Sequence, residues 1–252
     1  NEAKRKVKLD FWQTESSPGQ RTQPQQTNPR EQLEPPEKEK LRDRLASQGA
    51  LVGIYHSHTS ENYGNKGYQS HAEAGQQGDV VKVGTVLANY LKQKYGINTV
   101  HSTRVHDETY SQSYLESLQT SRQMVSSNPN LKMVFDLHRD AIGKANEDLV
   151  TTTINGQQVA RIMLVVTGND YLSNPHWQKN LSFAKQLAKK MEQMYPGLLR
   201  EVEMIDNRRY NLHVHQNALL IELGGAKNSL PEAKRSARLL GNVIAELLQS
   251  GV

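Results

Sequence analysis

Apolar positions along this chain fall into short solid runs and longer helical repeats that take turns, and this alternation predicts the fold class. Residues 51–55, 98–102 and 131–137 are runs of strand length. Val80, Val83, Leu87, Tyr90, Leu91 and Tyr95 recur at helical spacing until Gly96 stops the helix. Residues 109–126 read as a further helix ended by Asn128-Pro129-Asn130, and residues 174–194 as another stopped by Pro196-Gly197. Asn155-Gly156 between residues 149–154 and 159–166 is a strong hairpin signal, because both turn residues tolerate positive φ. The last helix follows Ser229-Leu230-Pro231-Glu232, a capping-box spacing, and buries Ala233, Ala237, Leu240, Ile244 and Leu247. The pattern predicts an α/β fold with a mixed, mostly parallel central sheet flanked by helices.

Composition changes this picture at one end. The hydrophobic fraction of 36% is low for a compact domain, and residues 1–37 account for much of the deficit, with five of the nine prolines and few apolar side chains beyond Phe11 and Trp12. Such a stretch buries too little apolar surface to offset its ordering entropy, so residues 1–37 read as a flexible linker and 38–252 as the folded domain. The net charge of +5 suits an anionic cell-wall polymer or lipid surface. No Lys/Arg run interleaves with aromatics, which argues against nucleic acid. Cysteine is absent, which excludes disulfides, Cys-rich zinc ribbons and thiol nucleophiles. No apolar run of about 20 residues is present, so the chain reads as soluble, with an anchor expected beyond the linker.

The candidate chemistry sits at strand ends. Residues 51–58, 133–140 and 218–225 each lead from apolar side chains into His or Glu. The carboxyl ends of strands in an open α/β sheet converge on one crevice, so these ends are expected to share a site. Glu222, set among Leu and Ile, is expected to have a raised pKa suited to a general base. Without Cys, metal ligands must come from the nine His and the carboxylates. His71, His101, His106 and His176 occupy polar or helix-flanking positions and read as solvated or hydrogen-bonded side chains. His213 and His215 alternate ahead of the Glu222 strand and read as rim residues in reach of substrate. His56 and His58 face one side if the strand continues through them and separate if it turns.

Four ordered stretches, residues 54–61 (through His56, His58 and Glu61), 101–107, 136–140 (through His138) and 220–224 (ending Glu222-Leu223-Gly224), together resemble the stage II sporulation protein P family. Its members are peptidoglycan hydrolases related to zinc-dependent N-acetylmuramoyl-L-alanine amidases, so the resemblance implies that fold and a Zn²⁺ cofactor. It implies His58, in preference to His56, as the first metal ligand and His138 as another. The second ligand of the broader amidase pattern falls on Asp79, seventeen positions before Gly96, with Glu61 as its competitor. Thr103, Arg104 and Asp107 meet the pattern that follows. Glu222, with Asn228 after it, matches the catalytic Glu. Arg139 and Arg104 are expected to pair with stem-peptide carboxylates, Arg104 alternatively with Asp107. The implied reaction cuts the amide between N-acetylmuramic acid and L-Ala, with endopeptidase activity on crosslinks as a second reaction. The implied setting is extracytoplasmic, at the sporulation septum during engulfment, membrane-anchored through a segment absent from this chain and beside a partner lytic transglycosylase (SpoIID-like). A catalytically silent peptidoglycan-binding scaffold and a zinc carboxypeptidase are the alternatives.

Overall fold

In a computed structural model that describes residues 4–12, 34–64, 71–142 and 147–250, the strands and helices alternate as the pattern predicts. The elements are β1 (Lys4–Lys6), α1 (Pro35–Ala46), β2 (Ala50–Tyr55), α2 (Asp79–Tyr95), β3 (Asn98–His101), α3 (Ser113–Ser127), β4 (Met133–Asp140) and α4 (Glu147–Val150). They continue with β5 (Thr151–Ile154), β6 (Gln157–Ala160), β7 (Ile162–Thr167), α5 (Trp177–Met194), β8 (Leu199–Ile205), β9 (Ala218–Gly225) and α6 (Leu230–Gln249). Seven strands form one sheet in the order β1-β8-β7-β9-β4-β2-β3. The block β3-β2-β4-β9 is parallel; β7 runs against β9, β8 follows β7, and β1 is antiparallel to β8.

Strand alternation gives the two faces of this sheet different partners. Met133, Phe135 and Leu137 of β4 and Leu219, Ile221 and Leu223 of β9 point into the main core, which they share with Val80, Val83, Leu87 and Leu91 of α2, Phe183 and Leu187 of α5, and Leu240 and Ile244 of α6. Val134 and Leu220 point the other way, into a smaller cluster with Met124 of α3. Gly53 of β2 permits this second contact, since a Cβ there would lie 2.7 Å from the Met124 sulfur. Three of the long helices therefore cover one face and α3 only part of the other, and the site opens on the uncovered part.

Helix boundaries follow local chemistry. Gly96 ends α2 at φ 70°, a left-handed conformation that favours glycine. Ser229 and Glu232 exchange both bonds of the capping box at the start of α6. Helix α5 starts at Trp177, three residues later than predicted, because Asn174 bonds to Thr167 Oγ1 and Asn180 Oδ1 and holds the entry in a turn.

Two expectations need correction. The hairpin at Asn155-Gly156 forms, with φ of 52° and 73°, but β5 and β6 make a separate two-stranded sheet. Residues 149 and 150 lie in α4, and the chain re-enters the main sheet only at β7, after Arg161 donates its backbone N–H to Val150 O. The residues read as a linker are also not all polymer-like: Lys4–Lys6 pair with β8, Leu9 is buried in the core, and α1 begins at Pro35. The remainder of that expectation, residues 13–33, lies outside the described residues.

Candidate active site

Parallel register brings His138 and Glu222 together. They are direct cross-strand partners on β4 and β9, and the residues two positions earlier, Asp136 and Leu220, are partners on the same face. Neighbouring strands lie about 4.8 Å apart, so the histidine and the carboxylate share the floor of one cavity. That cavity measures about 820 Å³, and His58, Glu61, His138, Arg139 and Glu222 all line it, with Tyr110, Tyr114 and Arg200.

His58 reaches the cavity because the chain turns after β2. His56 remains on the helix side: its Nδ1 lies 2.8 Å from Leu137 O and must donate to that carbonyl, so its Nε2 accepts from His101 Nε2 at 2.8 Å. Both ring nitrogens of His56 are thus engaged away from the cavity. The loop beyond is pinned from β3's exit, where His106 Nδ1 donates to His56 O (2.7 Å) and Asp107 Oδ2 accepts from the Ser60 amide (3.1 Å) and hydroxyl (2.6 Å). His58 emerges 8% exposed, its ring centroid 5.3 Å from that of His138, with Nδ1 buried and without a hydrogen-bond partner among the described residues.

The same loop delivers Glu61. Its Oε2 accepts from the Arg139 backbone amide at 3.0 Å and stands 3.5 Å from His138 Nδ1. Asp79, at the start of α2, does not line the cavity: its carboxylate accepts from the Tyr63 amide at 3.3 Å and pairs with Lys82 at 2.7 Å. The seventeen-position count to Gly96 therefore locates the first residue of α2, whereas the carboxylate beside the histidines comes from the loop ahead of it.

Asp136 sets the chemistry of His138. Ser57 Oγ has one proton and donates it to Asp136 Oδ2 (2.7 Å), so the His138 Nε2–H is shared between Asp136 Oδ1 and Ser57 Oγ, each at 2.8 Å. Nδ1 is then the nitrogen presented to Glu61. Burial opposes charge on His138, but Asp136 and Glu61 outweigh it and hold its pKa well above the ordinary value. Burial lowers His58 to about 4, with the positive His138 adding to the effect. Burial pushes Glu222 up to about 8, against the opposing pull of His138. Glu222 Oε2 is shielded from solvent with no hydrogen-bond partner among the described residues.

This donor set fits a divalent metal in kind. Two ligands roughly 2.1 Å from a tetrahedral ion stand roughly 3.4 Å apart, close to the 3.5 Å between His138 Nδ1 and Glu61 Oε2. The orphaned His58 Nδ1 is a third donor on the same cavity, and an Asp136 carboxylate behind His138 is the usual partner of a metal-bound imidazole. As placed, no three His, Asp or Glu side chains among the described residues close on a single point.

The remaining expected site residues lie elsewhere. Arg139 lines the cavity, but its side chain is buried and Nε donates to Asn62 O at 3.2 Å, which places it in the wall that carries Glu61. Arg104 is exposed and pairs with Glu116 at 3.0 Å, not with Asp107. His213 and His215 are absent from the cavity lining; His213 belongs to a short turn packed against α3 and α5, and His215 Nδ1 accepts from the Asn217 amide. Sequence reasoning missed Ser57, Asp136, Tyr110 and Tyr114. The i, i+2 spacing of Asp136 and His138 was a usable signal. Nothing in the sequence marks Tyr110 as the ring that stacks on His58, with centroids 4.4 Å and planes 20° apart.

Comparison with known proteins adds family and fold. The sequence profile described as Stage II sporulation protein P (SpoIIP) matches residues 1–245. Stage II sporulation protein P of Bacillus subtilis (strain 168) is 31% identical over 214 residues, covering 78% of this chain and 51% of the relative, so the chain spans about half the length of that curated relative. The structure of the CwlD amidase from Clostridioides difficile in complex with the GerS lipoprotein aligns with a TM-score of 0.50 at 15% identity, covering 79% of this chain and 99% of that one. The apo N-acetylmuramyl-L-alanine amidase Ami1 from Mycobacterium abscessus gives 0.47 at 14%, with 79% and 99% covered. The fold is that of the CwlD amidase.

Proposed function

The chain belongs to the stage II sporulation protein P family, and from that premise we propose that it is a zinc-dependent peptidoglycan hydrolase that cuts the amide between N-acetylmuramic acid and the L-Ala of the stem peptide. The observation that carries this reading is that His58, Glu61 and His138 line one cavity with Glu222, whose Oε2 is buried with no hydrogen-bond partner among the described residues. Glu61, the competitor, replaces Asp79 in the ligand position that the resemblance assigned to Asp79. His58, Glu61 and His138 would hold the ion, which supplies Lewis-acid polarisation of the amide carbonyl and a lowered water pKa.

The chain's own residues supply the proton movements. Glu222 removes a proton from the attacking water as its oxygen adds to the carbonyl carbon. The same carboxyl then delivers that proton to the amide nitrogen as the C–N bond breaks, since an amine leaves poorly unprotonated. A carboxyl raised by burial is suited to both halves of this exchange. Asp136 keeps the His138 proton on Nε2 and Nδ1 turned to the cavity. Endopeptidase action on crosslinks would use the same groups on a second amide. In the cell we place the enzyme outside the cytoplasmic membrane at the sporulation septum, membrane-anchored and working with a lytic transglycosylase; among the described residues no helix is long and apolar enough to cross a membrane.

The direct test is a digest of purified peptidoglycan with and without Zn²⁺, with products identified by mass. Stem peptides released from intact glycan strands, and lost with chelator, are expected. Single amino acids would indicate a carboxypeptidase, and binding to sacculi without release would indicate a scaffold. Asp136→Asn keeps the side-chain shape but loses the charge behind His138. Its metal affinity should fall about 10- to 100-fold, measured by competition with a chromophoric chelator; unchanged affinity would remove Asp136 from this role.

A further inference from the structure

One end of the cavity is aromatic and the other charged. Tyr110 lines the cavity and is 64% exposed although one face of its ring lies on His58. The His71 ring stands perpendicular to it, with centroids 6.5 Å apart. Leu115, at the start of α3, is 63% exposed nearby in the chain. Tyr110 is thus an aromatic ring on the cavity lining that is still open to solvent. At the far end the lining is Arg200, Glu201, Glu203 and Arg208, and Lys4 and Lys6 of β1 bridge to Glu203 and Glu201 at 4.0 and 2.8 Å.

We infer that Tyr110 is a saccharide platform: a pyranose ring of the glycan strand lies on its open face, and the stem peptide runs from Glu222 across β7 and β8 toward the charged end. This rests on the hydrolase reading above. The axial C–H face of a sugar is apolar and weakly positive, which matches the negative face of an aromatic ring. His58 holds the phenol ring nearly parallel to its own plane, so the platform is oriented before substrate arrives. Strand register sets the other half. Glu222 is the cross-strand partner of Met163, and Met163 that of Glu201, so Glu201 lies two strands away. That is about 10 Å at ~4.8 Å per strand, which about three extended residues span. A scissile amide over Glu222 thus leaves the third stem residue at the charged end.

Glycan strands stripped of their peptides contain no scissile amide, so the unmodified chain can be titrated with them and with chitotetraose by calorimetry. Tyr110→Ala should weaken binding about threefold to tenfold, while Tyr110→Phe and Tyr110→Trp keep it. On intact peptidoglycan Tyr110→Ala should raise KM and spare kcat. Glycan binding unchanged in a folded Tyr110→Ala protein, or no measurable binding by the parent, overturns the platform. If the parent releases no stem peptides yet glycan binding still tracks residue 110, the hydrolase reading fails and the platform stands.

Discussion

Glu222→Gln is expected to lose hydrolysis and, at the same time, to make the metal-free protein more stable. The amide has the shape of the carboxyl but cannot carry a proton between water and leaving amine, so kcat should fall by about 10²–10⁴. Metal binding should be retained, because the three donors are on other elements. The stability gain follows from the same burial. The Glu222 carboxyl is raised from 4.5 to about 8, so between those values the folded chain keeps a proton that the unfolded chain has released. Stability therefore declines as pH rises through that window. Removing a carboxylate whose charge is disfavoured by burial should recover about 1–3 kcal/mol near pH 8 and nothing near pH 4, read as the shift in thermal midpoint of the two metal-free proteins. A variant that melts earlier than the parent at pH 8 would make Glu222 a structural residue.

Glu61 and Asp79 should separate as widely. Glu61→Gln removes the charge 3.5 Å from His138 Nδ1, and metal affinity should drop by more than the roughly 10- to 100-fold expected for an outer hydrogen-bond partner, with hydrolysis lost in step. Asp79→Asn should leave affinity within about twofold and cost about 0.5–1 kcal/mol of stability, since its carboxylate serves the start of α2, the Tyr63 amide and Lys82. Metal affinity measured by chelator competition, beside melting of the apo proteins, decides the matter. The reverse result, Asp79 controlling affinity and Glu61 only stability, would mean that the loop after β2 rearranges when metal binds.

Much of the fold was legible because local signals and packing agree. The spacing of Val80, Val83, Leu87 and Leu91 marks α2, and each of these side chains is buried in the main core. The capping box at Ser229 and the left-handed Gly96 act within a few residues, where sequence patterns are most informative. The hairpin turn at Asn155-Gly156 was equally readable, but its sheet was not. A turn signal fixes the geometry between two strands and carries no information on what lies beside them, and here, among the described residues, β5 and β6 pair only with each other.

The candidate site divides along the same line. His138 and Glu222 were readable as strand-end residues because period-two alternation fixes the face of a side chain once the strand is given. The loop between β2 and α2 has no period. Whether His56 or His58, and whether Glu61 or Asp79, faces the cavity depends on bonds from His106 and Asp107, which lie almost fifty positions away in the chain and adjacent in space. Arg139 looked available to substrate for the same reason: a sequence shows a charge but not its burial. By itself the sequence determined the order of elements, the core faces and the two strand-borne residues, because each follows from repeats and caps spanning a few residues. Only the tertiary structure decided which loop carboxylate joins the histidines, which arginines are committed and which ring covers His58, because those outcomes depend on contacts between segments that no local pattern encodes.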